Sequence, residues 1–244
     1  MRLVSLALAL SIGASATAIA GTNLVTNGDF ETTTNGGGQL GFNTDATGWT
    51  TTGYNFLFTP GSADTNPGVT GQYGTLQLWG PNNGSANGLP ATSPTGGNFV
   101  GADGAFQVGA ITQTINGLTV GANYIVSFYW GGAQQKGFDG ANTEQWQVSL
   151  GASTQSTSVY QNPSHGFSGW LQQSFTFTAA SATEVLSFLA VGTPTGVPPF
   201  SLLDGVTMYQ DVPEPASLAL LGVGILGLGA FRLRRRAQAA APAA

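Results

Sequence analysis

Alternation of apolar and polar residues dominates the middle of this chain, and no stretch of that region carries a helical period. Between Tyr124 and Trp130, the apolar residues Tyr124, Val126, Phe128 and Trp130 recur at every second position. A period of two places them on one face of an extended strand. Gln145 to Leu150 repeats the pattern with Trp146, Val148 and Leu150, and Leu171 to Thr178 turns Leu171, Phe175 and Phe177 toward a core. Further strands are expected at Thr75 to Trp79, Ala105 to Val108, Ile111 to Ile115, Glu184 to Val191 and Leu202 to Tyr209. Glycine- and proline-bearing links part them at Asn35 to Gly38, Pro81 to Gly88, Gly131-Gly132 and Pro194 to Pro199. Many short strands punctuated in this way predict an all-β, antiparallel sandwich. No fixed-length repeat is present, which argues against a solenoid or propeller. The long polar stretch from Pro60 to Gly97 is expected to form an extended loop or insertion.

The two ends break the alternation with continuous apolar runs. Arg2 precedes the run from Leu3 to Ile12, and Ala18-Ile19-Ala20 supplies small residues at the positions a signal peptidase requires. Residues 1–20 therefore read as a signal peptide cleaved after Ala20, ahead of a β-sandwich domain at 21–210. The second run, Ala216 to Phe231, is sixteen residues long and reads as a single transmembrane helix. Such a helix spans roughly 24 Å against about 30 Å of hydrocarbon. Arg232 and Arg234 can snorkel to close the gap. Its eight Leu, Ile, Val and Phe residues favour insertion by roughly 2 to 5 kcal/mol. That suits a temporary membrane stop better than a packed span. Gly222, Gly224, Gly227 and Gly229 are not spaced four apart, so the helix-dimer motif is absent. Arg232, Arg234, Arg235 and Arg236 mark the cytoplasmic side, and 237–244 reads as a disordered tail.

Charge narrows the function. The chain has six basic and eleven acidic residues, and four of the six basic ones fall between Arg232 and Arg236. Between the terminal segments only Lys136 is basic, against ten carboxylates from Asp29 to Asp211. Such a body repels phosphate backbones, which excludes nucleic acid as a partner. The absence of cysteine removes disulfides, thiolate metal sites and cysteine nucleophiles together.

Ahead of the C-terminal run stands Val212-Pro213-Glu214-Pro215-Ala216-Ser217. Each proline fixes its own φ and disfavours helix in the residue before it, so one carboxylate is held on a stiff, extended segment. The order of this motif (212–217), the apolar helix (216–231) and the arginine cluster (232–236) resembles the PEP-CTERM sorting signal of exported bacterial envelope proteins. The resemblance implies recognition of 211–236 by an exosortase-type processing enzyme, after signal peptidase has acted. It implies membrane anchoring through the C-terminal helix until processing, then residence at the cell surface or in the extracellular matrix. Such systems accompany exopolysaccharide production, which makes an exopolysaccharide a further expected partner.

The body carries a second resemblance. Asn23-Leu24-Val25-Thr26-Asn27-Gly28-Asp29-Phe30-Glu31 followed by Gly48-Trp49 is similar to the opening of galactose-binding-like and carbohydrate-binding-module jelly rolls. Gly121-Ala122-Asn123-Tyr124-Ile125-Val126-Ser127-Phe128, Gly169-Trp170 with Ser174 to Thr178, and Leu202-Leu203-Asp204-Gly205-Val206 resemble their later strands. Several such modules hold a structural calcium where the first and last strands meet. The resemblance implies Glu31 and Asp204 as carboxylate ligands here, with Asp29 as a third. Hard oxygens of this kind, completed by backbone carbonyls, suit calcium, although Gly205 stands where the family often has a second acid.

Sugar binding requires aromatic faces beside hydrogen-bonding side chains. Trp49, Trp130 and Trp170 match core positions, Trp79, Trp146, Tyr54 and Tyr160 are less committed, and Trp79 and Trp146 are the expected stacking residues. Gln134 to Gly140, Asn142 and Glu144 supply polar groups near strand ends. Catalysis has little to draw on. His165 is the single histidine, no Gly-x-Ser-x-Gly elbow occurs, and Asp139 with Glu144 is no more marked than any other pair among the ten acids. The sequence thus describes a non-catalytic exported surface or matrix protein that binds carbohydrate. The alternatives are a purely structural matrix component and, third, a glycan hydrolase.

Overall fold

Fourteen strands and no helix make up residues 21–212, the part of the chain that the computed structural model describes. One sheet runs in the order β1 (Gly38–Gln39), β3 (Asn55–Phe58), β6 (Phe99–Asp103), β14 (Pro199–Gln210), β8 (Asn123–Gln134) and β12 (Leu171–Thr178). The other runs β10 (Ser153–Ser156), β9 (Asn142–Leu150), β13 (Thr183–Thr193), β7 (Ile111–Asn116) and β2 (Thr50–Thr51), with β11 (Tyr160–Asn162) also on β9. A separate hairpin joins β4 (Val69–Gly71) to β5 (Gly74–Leu76). The pairings among these strands are antiparallel. The long strands β7, β8, β9, β12, β13 and β14 pass alternately between the two sheets, which is the winding of a jelly roll. The expected signal peptide (1–20), the helix at 216–231, the arginines 232–236 and the tail 237–244 lie outside the described residues. Among the described residues, no helix is long and apolar enough to cross a membrane.

The inward register follows the alternation. Tyr124, Val126, Phe128 and Trp130 of β8 meet Trp146, Val148 and Leu150 of β9, together with Phe175, Phe177, Leu186 and Phe188, in the core between the sheets. Leu171 departs from the expected pattern. It opens the edge strand β12 and is 39% exposed, although its cross-strand partner Trp130 is buried.

Two strands escape the period-two pattern altogether. Every residue of β3 and β6 is buried. Leu57, Val100 and Ala102 face the sandwich core, whereas Phe56, Phe58 and Phe99 enter a second cluster with Val69, Leu76, Leu78, Phe200 and Leu202. The Pro60–Gly97 insertion supplies the lid of that second cluster through the β4–β5 hairpin. A strand covered on both faces has no polar side to alternate with. Ala105 to Val108, expected as a strand, is a turn instead, and the Thr75–Trp79 strand shortens to β5.

Asn142 and Glu144 lie at the start of β9, near a strand end as expected. Both sit inside β9 with side chains turned into the sandwich, next to buried Asn162 and Gln134. Glu144 Oε1 accepts a hydrogen bond from Asn162 Nδ2 at 3.2 Å, and Oε2 has no donor. Burial pushes the Glu144 carboxyl up to about 8, against the lowering effect of Asn162. Room for the carboxylate comes from Gly132, where an added Cβ would stand 2.6 Å from Oε2.

Candidate functional site

The loops at one end of the sandwich enclose a pocket of about 360 Å³ walled by aromatic rings. Tyr54 enters it just before β3, Tyr73 from the β4–β5 turn, Phe106 from the turn after β6, and Phe138 from the β8–β9 connection. Thr195, Gly196 and Pro198 of the β13–β14 connection close the rim, and Gln135 adds an amide. Tyr73, Phe106 and Phe138 are 64%, 44% and 36% exposed, unusual values for large apolar rings clustered in one place. Two other clefts, of about 460 and 380 Å³, are lined mainly by glycine, asparagine, threonine and glutamine.

Local hydrogen bonding sets the ring positions. Asp103 ends β6, and its Oδ1 accepts from the backbone N–H groups of Ala105 at 2.8 Å and Phe106 at 3.0 Å. This Asx-type turn converts the end of the strand into the bend that aims Phe106 at the pocket. Gln107 Nε2 donates to the Tyr73 hydroxyl at 2.6 Å, and Gln72 Nε2 donates to Gln107 Oε1 at 2.6 Å. The Tyr54 ring lies edge-on to Phe106 with centroids 5.2 Å apart, and Tyr73 is within 6 Å of both, at 5.9 and 5.8 Å. The backbone around this turn runs unusually close to its neighbours. A Cβ at Gly104 would come within 2.5 Å of the Gly192 nitrogen, so only glycine permits that approach.

Asp103 is the one carboxylate in the pocket wall and is almost fully buried. Its Oδ2 has no hydrogen-bond partner. Burial raises its pKa to about 6, with the two backbone N–H groups acting in the opposite direction. Burial also raises the Tyr54 hydroxyl, and the nearby Asp103 charge adds to that.

The tryptophans expected to stack on sugar lie elsewhere. Trp146 is fully buried, edge-on to Phe188, and its indole N–H donates to the Leu202 carbonyl at 2.9 Å. It is a core residue, and the expectation of a stacking role is corrected. Trp79 is half-buried, with one face closed by the His165 ring at 3.9 Å and its N–H donated to Phe138 O at 3.0 Å. It pins the β8–β9 connection rather than opening a face to the pocket. The polar loop Gln134–Gly140 does reach the site, through Gln135 and Phe138. Tyr73, Phe106 and Phe138 were not legible as site residues, because nothing in their local sequence separates an exposed ring from a core ring.

His165 and Asp139 do meet, with Nε2 2.6 Å from Oδ1. The pair sits on loops, with the Asp139 side chain 84% exposed, and neither residue lines the aromatic pocket. Glu144 lies inside the sandwich, apart from this exposed pair.

The three carboxylates expected at a calcium site are placed unequally. Asp204 is fully buried on β14. Its Oδ2 accepts from the Thr95 hydroxyl and Oδ1 has no partner. Burial raises its pKa to about 6 and the Asp29 charge contributes, while Ser93, Thr95 and the Gly205 N–H act to lower it. Glu31 is exposed and accepts from the Asn98 N–H, so both carboxylates lean on the same segment, 93–98. Asp29 does not complete a cluster with them. Among the described residues, no three His, Asp or Glu side chains converge as a metal site. The three carboxylates do not converge, and Glu31 and Asp204 instead accept hydrogen bonds from one segment, 93–98.

Residues 211–236 match the PEP-CTERM protein-sorting motif. This motif indicates an exported, envelope-sorted protein and implies processing by an exosortase. No curated protein matches the chain. Solved structures similar to it include carbohydrate-binding modules. TmCBM61, solved in complex with β-1,4-galactotriose, is 17% identical, with a TM-score of 0.43 over 78% of this chain and 99% of that one. The CBM22-1 xylan-binding domain of Paenibacillus barcinonensis Xyn10C is 11% identical, with a TM-score of 0.37 over 80% of this chain and 97% of that one. A CBM4 structure is 16% identical, with a TM-score of 0.34 over 76% of this chain and 98% of that one.

Proposed function

We propose that this is a non-catalytic, envelope-sorted glycan-binding protein whose binding site is the aromatic pocket at the loop end of the sandwich. The observation that carries the reading is the convergence of Tyr73, Phe106 and Phe138, all exposed, around Asp103 and Gln135. A pyranose presents C–H patches to ring faces and hydroxyls to polar side chains at its rim, and this wall offers both. The Pro60–Gly97 insertion covers the outer face of β3 and β6, whereas the loop end keeps three large rings exposed together. The non-catalytic reading is supported by the composition of the pocket, which has one carboxylate, whereas glycoside hydrolysis in most families needs two.

A glycan array probed with the protein tests this reading. Tyr73→Ala should weaken binding at least about fivefold, the loss of roughly 1 kcal/mol expected for a stacking ring. Because Tyr73 is 64% exposed, its removal should move stability by no more than about 0.5 kcal/mol. Binding of no glycan by the parent protein would instead favour a purely structural matrix component. Uronate-rich glycans should bind worst, since a body with one lysine and ten carboxylates meets them with like charge.

Calcium beside segment 93–98 is supported on one specific ground, the unpartnered buried Asp204 Oδ1. Glu31, Asp204 and carbonyls of 93–98 would hold the ion, which would supply the positive charge that a desolvated carboxylate lacks. Excess chelator should then lower the midpoint of thermal unfolding, because an ion bound only to the folded state stabilises it by mass action. Asp204→Asn should abolish that sensitivity. A melting curve indifferent to chelator leaves both acids as ordinary hydrogen-bond acceptors.

Sorting rests on Val212, Pro213, Glu214 and Pro215 for recognition and on Arg232, Arg234, Arg235 and Arg236 as the membrane stop. Glu214→Ala should leave export intact and block maturation. Mass spectrometry of the mature C-terminus decides it. A wild-type protein still ending at Ala244 would sink the idea.

A further inference from the structure

We infer that the aromatic pocket selects a sugar bearing a protonated amine over its neutral or N-acetylated counterpart, an inference that rests on the glycan reading of the same pocket. The rings of Tyr54, Tyr73, Phe106 and Phe138 form the apolar part of the wall. Aromatic faces attract cations through the ring quadrupole, and several faces around one cavity form a cage for an ammonium group. Rings alone would serve a neutral pyranose equally well. The wall also contains Asp103, which changes the outcome.

Asp103 has no cationic partner among the described residues. Its Oδ1 is engaged by two backbone N–H groups, its Oδ2 has no donor, and the side chain is shut away from bulk water. Among the described residues, no ion pair involves it. Lys136 is the sole lysine or arginine among the described residues, and its Nζ lies 3.2 Å from Gln77 Oε1. The one ion pair among the described residues joins His165 to Asp139, outside this wall. A carboxylate desolvated in this way acts through rings rather than water, so its field at the pocket is weakly screened. A neutral sugar leaves that charge unanswered and a uronate opposes it. An ammonium group seated over the rings answers both the quadrupoles and the carboxylate. Gln135 remains for a sugar hydroxyl.

The test is titration calorimetry of the purified full chain near neutral pH with glucosamine oligosaccharides, matched N-acetylglucosamine oligosaccharides and cello-oligosaccharides. The amine series should bind about tenfold more tightly than either neutral series, the range a desolvated cation–π contact beside a carboxylate gives. Asp103→Asn retains the Oδ1 acceptor for the turn and should erase the preference, bringing the amine series to the affinity of the two neutral series. Choline is a second readout on the unaltered protein, and it should displace the bound amine oligosaccharide. Equal affinity for amine and neutral series, or failure of choline to compete, overturns the inference while leaving the glycan reading in place. Binding of none of the three series overturns the inference, and the glycan array then decides whether the glycan reading falls with it.

Discussion

Glu144→Gln should raise stability at pH 8 and flatten its dependence on pH, the largest single effect expected in this protein. The Glu144 carboxyl is shifted from an ordinary 4.5 to about 8 by burial. A group whose pKa is higher in the folded state favours folding when protonated, and its contribution is complete below the unfolded pKa. That contribution is lost as pH rises through the folded pKa. At about 1.4 kcal/mol for each pH unit between the two values, the loss approaches 5 kcal/mol, an upper figure. Asp103 and Asp204, both raised to about 6, add a drift of the same sign between about pH 4 and 6. Glutamine removes the ionisation and places an amide donor where Oε2 has no hydrogen-bond partner. Urea unfolding of parent and variant at pH 5 and pH 8 measures this. Equal stability of the parent at the two pH values would mean that a donor or cation reaches Oε2 and that its isolation is wrong.

Trp146→Ala should cost about 3 to 5 kcal/mol of stability, the usual range for deleting a buried tryptophan. The indole fills the centre of the sandwich against Phe188, and its loss leaves the Leu202 carbonyl without its donor. Tyr73→Ala should show the opposite profile, with binding reduced and stability preserved. Calorimetric unfolding together with glycan titration of the two variants separates core from site. A folded Trp146→Ala protein with parental stability and reduced glycan binding would return Trp146 to the ligand surface and overturn the placement of the site.

Trp146 shows how far the sequence could be read. It falls on the inward register of Gln145 to Leu150 together with Val148 and Leu150, so alternation alone assigns it to the core. Chemistry pulled the other way, because a tryptophan is the obvious sugar platform and nothing local marks it as covered. Periodicity was the better guide, since a one-residue slip of register would turn Val148 and Leu150 outward as well. The strands β3 and β6 were hidden for the converse reason. Their second face is covered by a segment distant in sequence, so no polar alternation remained to announce them. The inward turn of Asn142 and Glu144 was not legible, because polar side chains seldom face a core. Here they do, paired in part by Asn162 from β11.

By itself the sequence determined the sorting address, the β class and the inward faces of the long strands, because each is written in contiguous residues. The pro-x-pro segment stiffens through local sterics, and a strand shows its buried side every second residue. The pocket was decided only by the tertiary structure. Tyr54, Tyr73, Phe106 and Phe138 arrive from separate connections whose own sequences carry no period. Sheet pairing brings those connections to one end of the sandwich, and the turn at Asp103 aims Phe106 inward. A ring in a loop is exposed or buried according to what other segments place beside it, and that is fixed by long-range packing rather than by its neighbours in the chain.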